Sequence, residues 1–102
     1  MTDKAWKRTE RDICRLFGGE RRGADYADQD GGKNDCINEF WSIEVKRWKR
    51  PIYSAMYQDV LNAEARASAG QIPIGVFLKK GQNTKDGLVS MRLETFLEWF
   101  VS

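Results

Sequence analysis

Histidine is absent from the 102 residues, and cysteine and proline occur only twice each. Without an imidazole the chain can hold no Ser-His-Asp or Cys-His nucleophile, no histidine-based ββα-metal nuclease centre, and no imidazole ligand for zinc, iron or copper. A catalyst built from it must run on carboxylates, lysine and hard metals. Cys14 and Cys36 are too few for a zinc cluster, and a chain of this size can fold without a disulfide, so both are expected to be reduced packing residues. No apolar run approaches a membrane span and residues 1 to 7 are polar, with no signal core; the expectation is a cytoplasmic protein that does not enter a membrane.

What is present reads as one ordinary globular domain over residues 1–102, with 41% hydrophobic residues to build a core and no repeat or linker to divide it. The net charge is only +2, so bulk charge does not announce a nucleic-acid partner. Local distribution says more. Val45-Lys46-Arg47-Trp48-Lys49-Arg50 interleaves cations with an aromatic, the first helix candidate carries Lys4, Lys7, Arg8, Arg11 and Arg15, and Arg21 and Arg22 follow it. Surfaces that track phosphates use such patterns, and so do solvated helix faces beside a charged edge strand.

Trp6, Ile13, Leu16 and Phe17 recur at helical spacing and predict a helix from Asp3 to Phe17, stopped by Gly18-Gly19. Residues 20 to 34, rich in Gly, Asp and Arg, predict a loop with a short strand near Gly19 to Arg22. Asp25, Asp28, Asp30 and Gly31 suggest a calcium loop, but that frame puts Tyr26 first and Ile37 last, where carboxylates are needed. From Asp35 to Trp48 the apolar and β-branched content predicts a hairpin turning at Asn38-Glu39. Ser54 is the expected cap of a helix running to about Ala69 and closed by Gly70, with Ile52, Ala55, Met56, Val60, Ala63 and Ala67 on its sheet-facing side. Strands over Ile72–Leu78 and Gly87–Arg92 follow, then an amphipathic helix marked by Leu93, Phe96, Leu97 and Phe100. That order predicts an α/β fold with a mixed central sheet flanked by helices.

Three acids stand out from this frame. Glu10 falls on the apolar stripe of the first helix, so it sits at the rim of the stripe or is paired with a cation or metal. In Ile43-Glu44-Val45-Lys46, strand alternation puts Glu44 and Lys46 together on one face, about 7 Å apart at Cα. Asp35, at the start of the expected hairpin, could lie beside the second strand and converge with them. Two carboxylates and a backbone carbonyl suit Mg²⁺, and an adjacent lysine could act on an attacking water.

Glu10 on a helix, then Asp35, then Glu44-Val45-Lys46 resembles the PD-(D/E)XK nuclease superfamily, in particular its small Holliday-junction-resolvase-like members, including short phage-type endonucleases. The resemblance extends to the order of elements over most of the chain, although Asn34 stands where the motif's proline would be. It implies a restriction-endonuclease-like core and a homodimer that cuts DNA, preferably branched or junction DNA, with Mg²⁺ or Mn²⁺. Asp35, Glu44 and the Val45 carbonyl would hold the metal, Glu10 would support it, and Lys46 would act on the water. Arg21, Arg22, Arg47, Lys49, Arg50, Lys79 and Lys80 are the candidates for phosphate contacts. Tyr53, Tyr57 and Gln58 could touch DNA, although packing or solvent exposure explains them as well. The competing reading is a DNA-binding or assembly module that keeps the fold without the chemistry.

Overall fold

The computed structural model describes residues 2–21, 36–48 and 52–101, with the backbone alone for residues 2–5 and 21. The expected acidic loop, Arg22, Asp35, Lys49, Arg50 and Pro51 lie outside the described residues. The elements run α1 (Thr2–Leu16), β1 (Glu20–Arg21), β2 (Cys36–Ile37), β3 (Trp41–Trp48), α2 (Tyr53–Arg66), β4 (Ile72–Lys79), a 3₁₀ turn (Thr84–Asp86), β5 (Leu88–Ser90) and α3 (Leu93–Phe96), which continues as a π turn over Leu97–Val101.

Helix α1 ends where the two glycines predict. Gly18 takes a left-handed φ of 81°, and Gly19 donates its N–H to the Cys14 carbonyl at 2.9 Å, which satisfies one of the last helical acceptors. Gly19 also has no room for a side chain, since a Cβ there would collide with the Ile37 carbonyl. Leu16, assigned to the buried stripe, is instead exposed, while Ile13 and Cys14 carry the packing.

The expected hairpin of β2 with β3 does not form. β2 pairs antiparallel with β1, Glu20 opposite Ile37 and Arg21 opposite Cys36, and β3 belongs to a second sheet. Asn38 explains the difference. Its Oδ1 accepts from the N–H groups of Phe40 and Trp41 at 2.8 and 2.9 Å, and its Nδ2 donates to the Phe17 carbonyl at 2.8 Å. The turn chemistry was legible, but it bends the chain out of one sheet into another rather than back on itself.

The second sheet has the order β3-β4-β5. β3 and β4 are parallel over eight residues each, Trp41 opposite Ile72 through Trp48 opposite Lys79, joined by α2 as the crossover that a parallel pair requires. β5 adds antiparallel to Gly75–Phe77, so Pro73 lies ahead of the stretch that pairs on that side, where its missing N–H is tolerable. α2 begins at Tyr53 rather than after a Ser54 cap, with Ile52 at the N-cap making no side-chain bond, and it ends at Arg66.

Alternation gives the sheet two faces. Ile43, Val45, Ile74, Val76 and Leu78 pack with Ile13 and Cys14 of α1 and with Cys36. Cys14 and Cys36 are disulfide-bonded, with Cα atoms 5.5 Å apart, which corrects the expectation of two reduced thiols. Both are buried, as packing residues should be, yet the β1–β2 pairing that follows α1 brings the second cysteine within bonding reach of the first. The other face meets α2 through Val60 and Ala63, and Gly75 leaves the space that the Phe77 ring and the Val60 methyl occupy. The mixed sheet between helices bears out the expected α/β class.

The last helix departs from its pattern. Leu93, Phe96, Leu97 and Phe100 are all exposed, and Thr95 is the buried residue of α3. A single α turn that passes into a π turn, with more residues per turn, swings the apolar positions out of one line. No helix among the described residues is long and apolar enough to cross a membrane.

Candidate functional site

β3 projects Ser42, Glu44, Lys46 and Trp48 toward α2, the side opposite Ile43 and Val45. Ser42 fixes the register of helix on strand, since its Oγ donates to the Ala63 carbonyl at 2.7 Å. One turn along, Glu44 is 5% exposed, and a carboxylate so buried needs partners. Arg66 Nη1 donates to Oε1 at 3.1 Å and Lys46 Nζ lies 3.8 Å from Oε2. Both cations are partly exposed while the carboxylate is not, so they reach it from the solvent rim. Among the described residues β3 is the outer strand of its sheet, paired on one side with β4.

Strand alternation therefore brings Glu44 and Lys46 together as expected. Val45 is buried on the other face. Arg47 also points there, its guanidinium 5.0 Å from the centre of the Trp6 ring, so the basic run is divided between two sides and Arg47 is engaged in packing. Glu10 is half-buried on α1, which packs on the face opposite Glu44. Convergence of Asp35 with Glu44 was argued from a hairpin that the chain does not make, and that argument falls with it. Lys79 and Lys80 are exposed at and just beyond the end of β4, and Arg21 contributes its backbone to β1. Among the described residues no group of three Asp, Glu, Cys or His could hold a metal ion.

Sequence reasoning passed over two members of this face. Arg66 closes α2 and reaches Glu44 at 3.1 Å. Asp59, on α2, is 6% exposed, and its Oδ2 is buried with no hydrogen-bond partner among the described residues. Burial pushes its carboxyl above the usual range, and the Lys46 ammonium partly opposes that shift. A signal was available, since Met56, Asp59, Val60 and Ala63 share one helical stripe and the acid interrupts it.

Beside this face, α2 and the β5–α3 segment enclose a cleft of about 470 Å³ lined by Tyr53, Met56, Tyr57, Val60, Met91 and Arg92. Arg92 is held by Glu64 at 2.6 Å and lies 3.6 Å from Glu94; the Glu64 hydrogen bond and then its charge raise the guanidinium pKa further. Tyr53 and Tyr57 are exposed, with ring centres 5.8 Å apart, and Gln58 is occupied by Asn62 at 3.1 Å. No family model matches the chain, and neither a curated protein nor a solved structure does.

Proposed function

We propose that the protein is a divalent-metal-dependent endonuclease that hydrolyses DNA phosphodiester bonds, with branched or junction DNA as its preferred substrate and Mg²⁺, or Mn²⁺ in its place, as cofactor. The observation that carries the reading is the buried Glu44 carboxylate with the partly exposed Lys46 ammonium 3.8 Å away on the same strand face. A restriction-endonuclease-like core, with Asp35 as a further acid, belongs to the same proposal, whereas Glu10 lies on the helix that packs on the other face of the sheet. Bound there, the metal would polarise a phosphate oxygen and acidify a water. Glu44 would hold it with the Val45 carbonyl, Lys46 would orient or deprotonate the attacking water, and Arg66 would release Glu44 Oε1 as the cation arrives. The cations Arg21, Arg22, Lys49, Arg50, Lys79 and Lys80 would track the backbone, with a steep salt dependence of binding. Arg47 contributes less to this than its sequence position suggests, because its guanidinium lies over Trp6.

The homodimer of this reading has a surface to use. Leu93, Phe96, Leu97, Trp99, Phe100 and Val101 of the last helical segment are all exposed. Light scattering of the purified chain, and of Phe100→Glu, would register a dimer that becomes a monomer. Cytoplasmic placement is also part of the proposal. The Cys14–Cys36 bond speaks against it, because persistent disulfides are rare in reducing compartments.

Incubation with supercoiled and four-way-junction DNA, with and without Mg²⁺, tests the activity. Metal-dependent cleavage lost in Glu44→Gln and Asp35→Ala is the expected result, and equal cleavage by those variants would falsify it. A second reading, DNA binding without chemistry, is favoured by the engagement of both Glu44 oxygens with Arg66 and Lys46. It predicts junction binding by wild type and Glu44→Gln alike, and no cleavage.

A further inference from the structure

We propose that Asp59 of α2 supplies the second carboxylate of the metal site on β3, sharing the cation with Glu44. The inference rests on the metal-dependent reading above and names a ligand from the helix side rather than from the loop before β2. Asp59 is more than nine-tenths buried, and its Oδ2 meets no donor among the described residues. Buried polar groups are nearly always hydrogen-bonded, and a buried carboxylate oxygen that meets no donor is a ready ligand for a cation. Packing gives no reason for the acid. Val60 and Ala63 of the same helix face are apolar, and an apolar residue at position 59 would cover the sheet without the desolvation cost.

Placement joins Asp59 to Glu44. Val60, next to Asp59 on α2, lies against Gly75 of β4, the residue opposite Glu44, and Arg66 of the same helix reaches Glu44 Oε1 at 3.1 Å, so the docking of α2 sets Asp59 at the level of the sheet that carries Glu44. A second polar atom that is buried with no partner among the described residues, Trp48 Nε1, belongs to the same side of β3. Glu44, Lys46 and Trp48 alternate along that strand, and Arg47 between them is pinned to Trp6 on the other side. An acceptor without a donor and a donor without an acceptor therefore occur on the face that carries the Glu44–Lys46 pair. A hydrated divalent cation accounts for the acceptor by direct ligation, and its bound water or a substrate phosphate accounts for the donor. Mg²⁺ asks for little more, since it takes one or two carboxylates and fills its remaining positions with water and phosphate oxygens.

The test is Mn²⁺ and Mg²⁺ binding, by titration calorimetry and by the metal-induced rise in melting temperature, on the full chain and on Asp59→Asn, Glu44→Gln and the doubly substituted chain. Asp59→Asn keeps the shape and removes a buried charge, so it should fold and melt at or above the wild-type temperature without metal. The expected result is a loss of Mn²⁺ affinity of about tenfold or more in each single variant, the scale on which metal-site substitutions act, with no further loss in the double. Wild-type affinity in Asp59→Asn, with weakened binding in Glu44→Gln, overturns this inference and leaves the endonuclease reading standing. Loss of binding in both variants, in a wild-type chain that cuts no DNA with Mn²⁺, upholds the site and removes the nuclease. Absence of Mn²⁺ binding by the wild type at millimolar metal overturns both.

Discussion

The two faces of the β3-β4-β5 sheet are built from the same strands and differ in almost every physical respect. Toward α1 the strands present Ile43, Val45, Ile74, Val76 and Leu78, closed by Ile13 and by the Cys14–Cys36 bond, with no ionisable side chain in the cluster. Toward α2 they present Ser42, Glu44 and Lys46, met by Asp59, Ala63 and Arg66. Burial on the first side is nearly all hydrophobic gain. On the second, each buried polar atom has to be matched, and Asp59 Oδ2 has no partner among the described residues. One side holds the fold together, and the other spends part of that stability on burying ionisable groups.

The comparison can be broken most sharply on the α1 side. Ile74→Ala, at a position with no exposure, should cost about 2–5 kcal/mol in denaturant unfolding, since the site cannot fully collapse around the lost atoms. A loss well below this range would mean that the core is looser than its burial suggests. The disulfide comes next. Its cysteines are 22 residues apart, and loop-closure entropy over that span gives on the order of 3 kcal/mol. Melting should therefore fall steeply on adding dithiothreitol, and Cys14→Ser should melt at the reduced wild-type temperature whether or not reductant is present.

Smaller effects are expected on the α2 side. Ser42→Ala leaves the Ala63 carbonyl without its donor and should destabilise by about 1 kcal/mol, read from a shift in the urea midpoint at constant slope. Asp59→Asn should act in the opposite sense. The folded Asp59 carboxyl titrates above its ordinary value of 3.8, so its protonated form is the better accommodated in the fold. Its favourable contribution is fully present below 3.8 and is lost as pH rises through the higher folded value. The variant should therefore gain on the wild type as pH rises through that window, in melts recorded across the acid range without metal. A gap that does not change with pH would show Asp59 to be solvated.

How far the sequence reached depends on the range of the physics involved. The α1 stripe, the Gly18 stop, β3, β4 and the helix between them follow from local periodicity and turn chemistry, and all of them form. The pairing of β2 with β1 does not follow, because Asn38 signals a turn without saying which strand comes next to which. Leu93, Phe96, Leu97 and Phe100 mark an amphipathic helix, yet periodicity cannot tell a face turned to this domain from one turned outward, and all four are exposed. In the site, Glu44 beside Lys46 was legible from a period of two, whereas Arg66 and Asp59 reach that face across 22 and about 13 positions through the docking of α2.

The amino-acid order alone settled which chemistry is out of reach, since a chain without histidine has no imidazole to offer, and it settled which side chains share a strand face, since alternation is built into the extended backbone. Tertiary structure decided what stands opposite them. The Cys14–Cys36 bond, the Arg66 contact to Glu44 and the burial of Asp59 all depend on which elements dock together, and docking is set by the sum of many weak contacts across the fold rather than by any local pattern of residues.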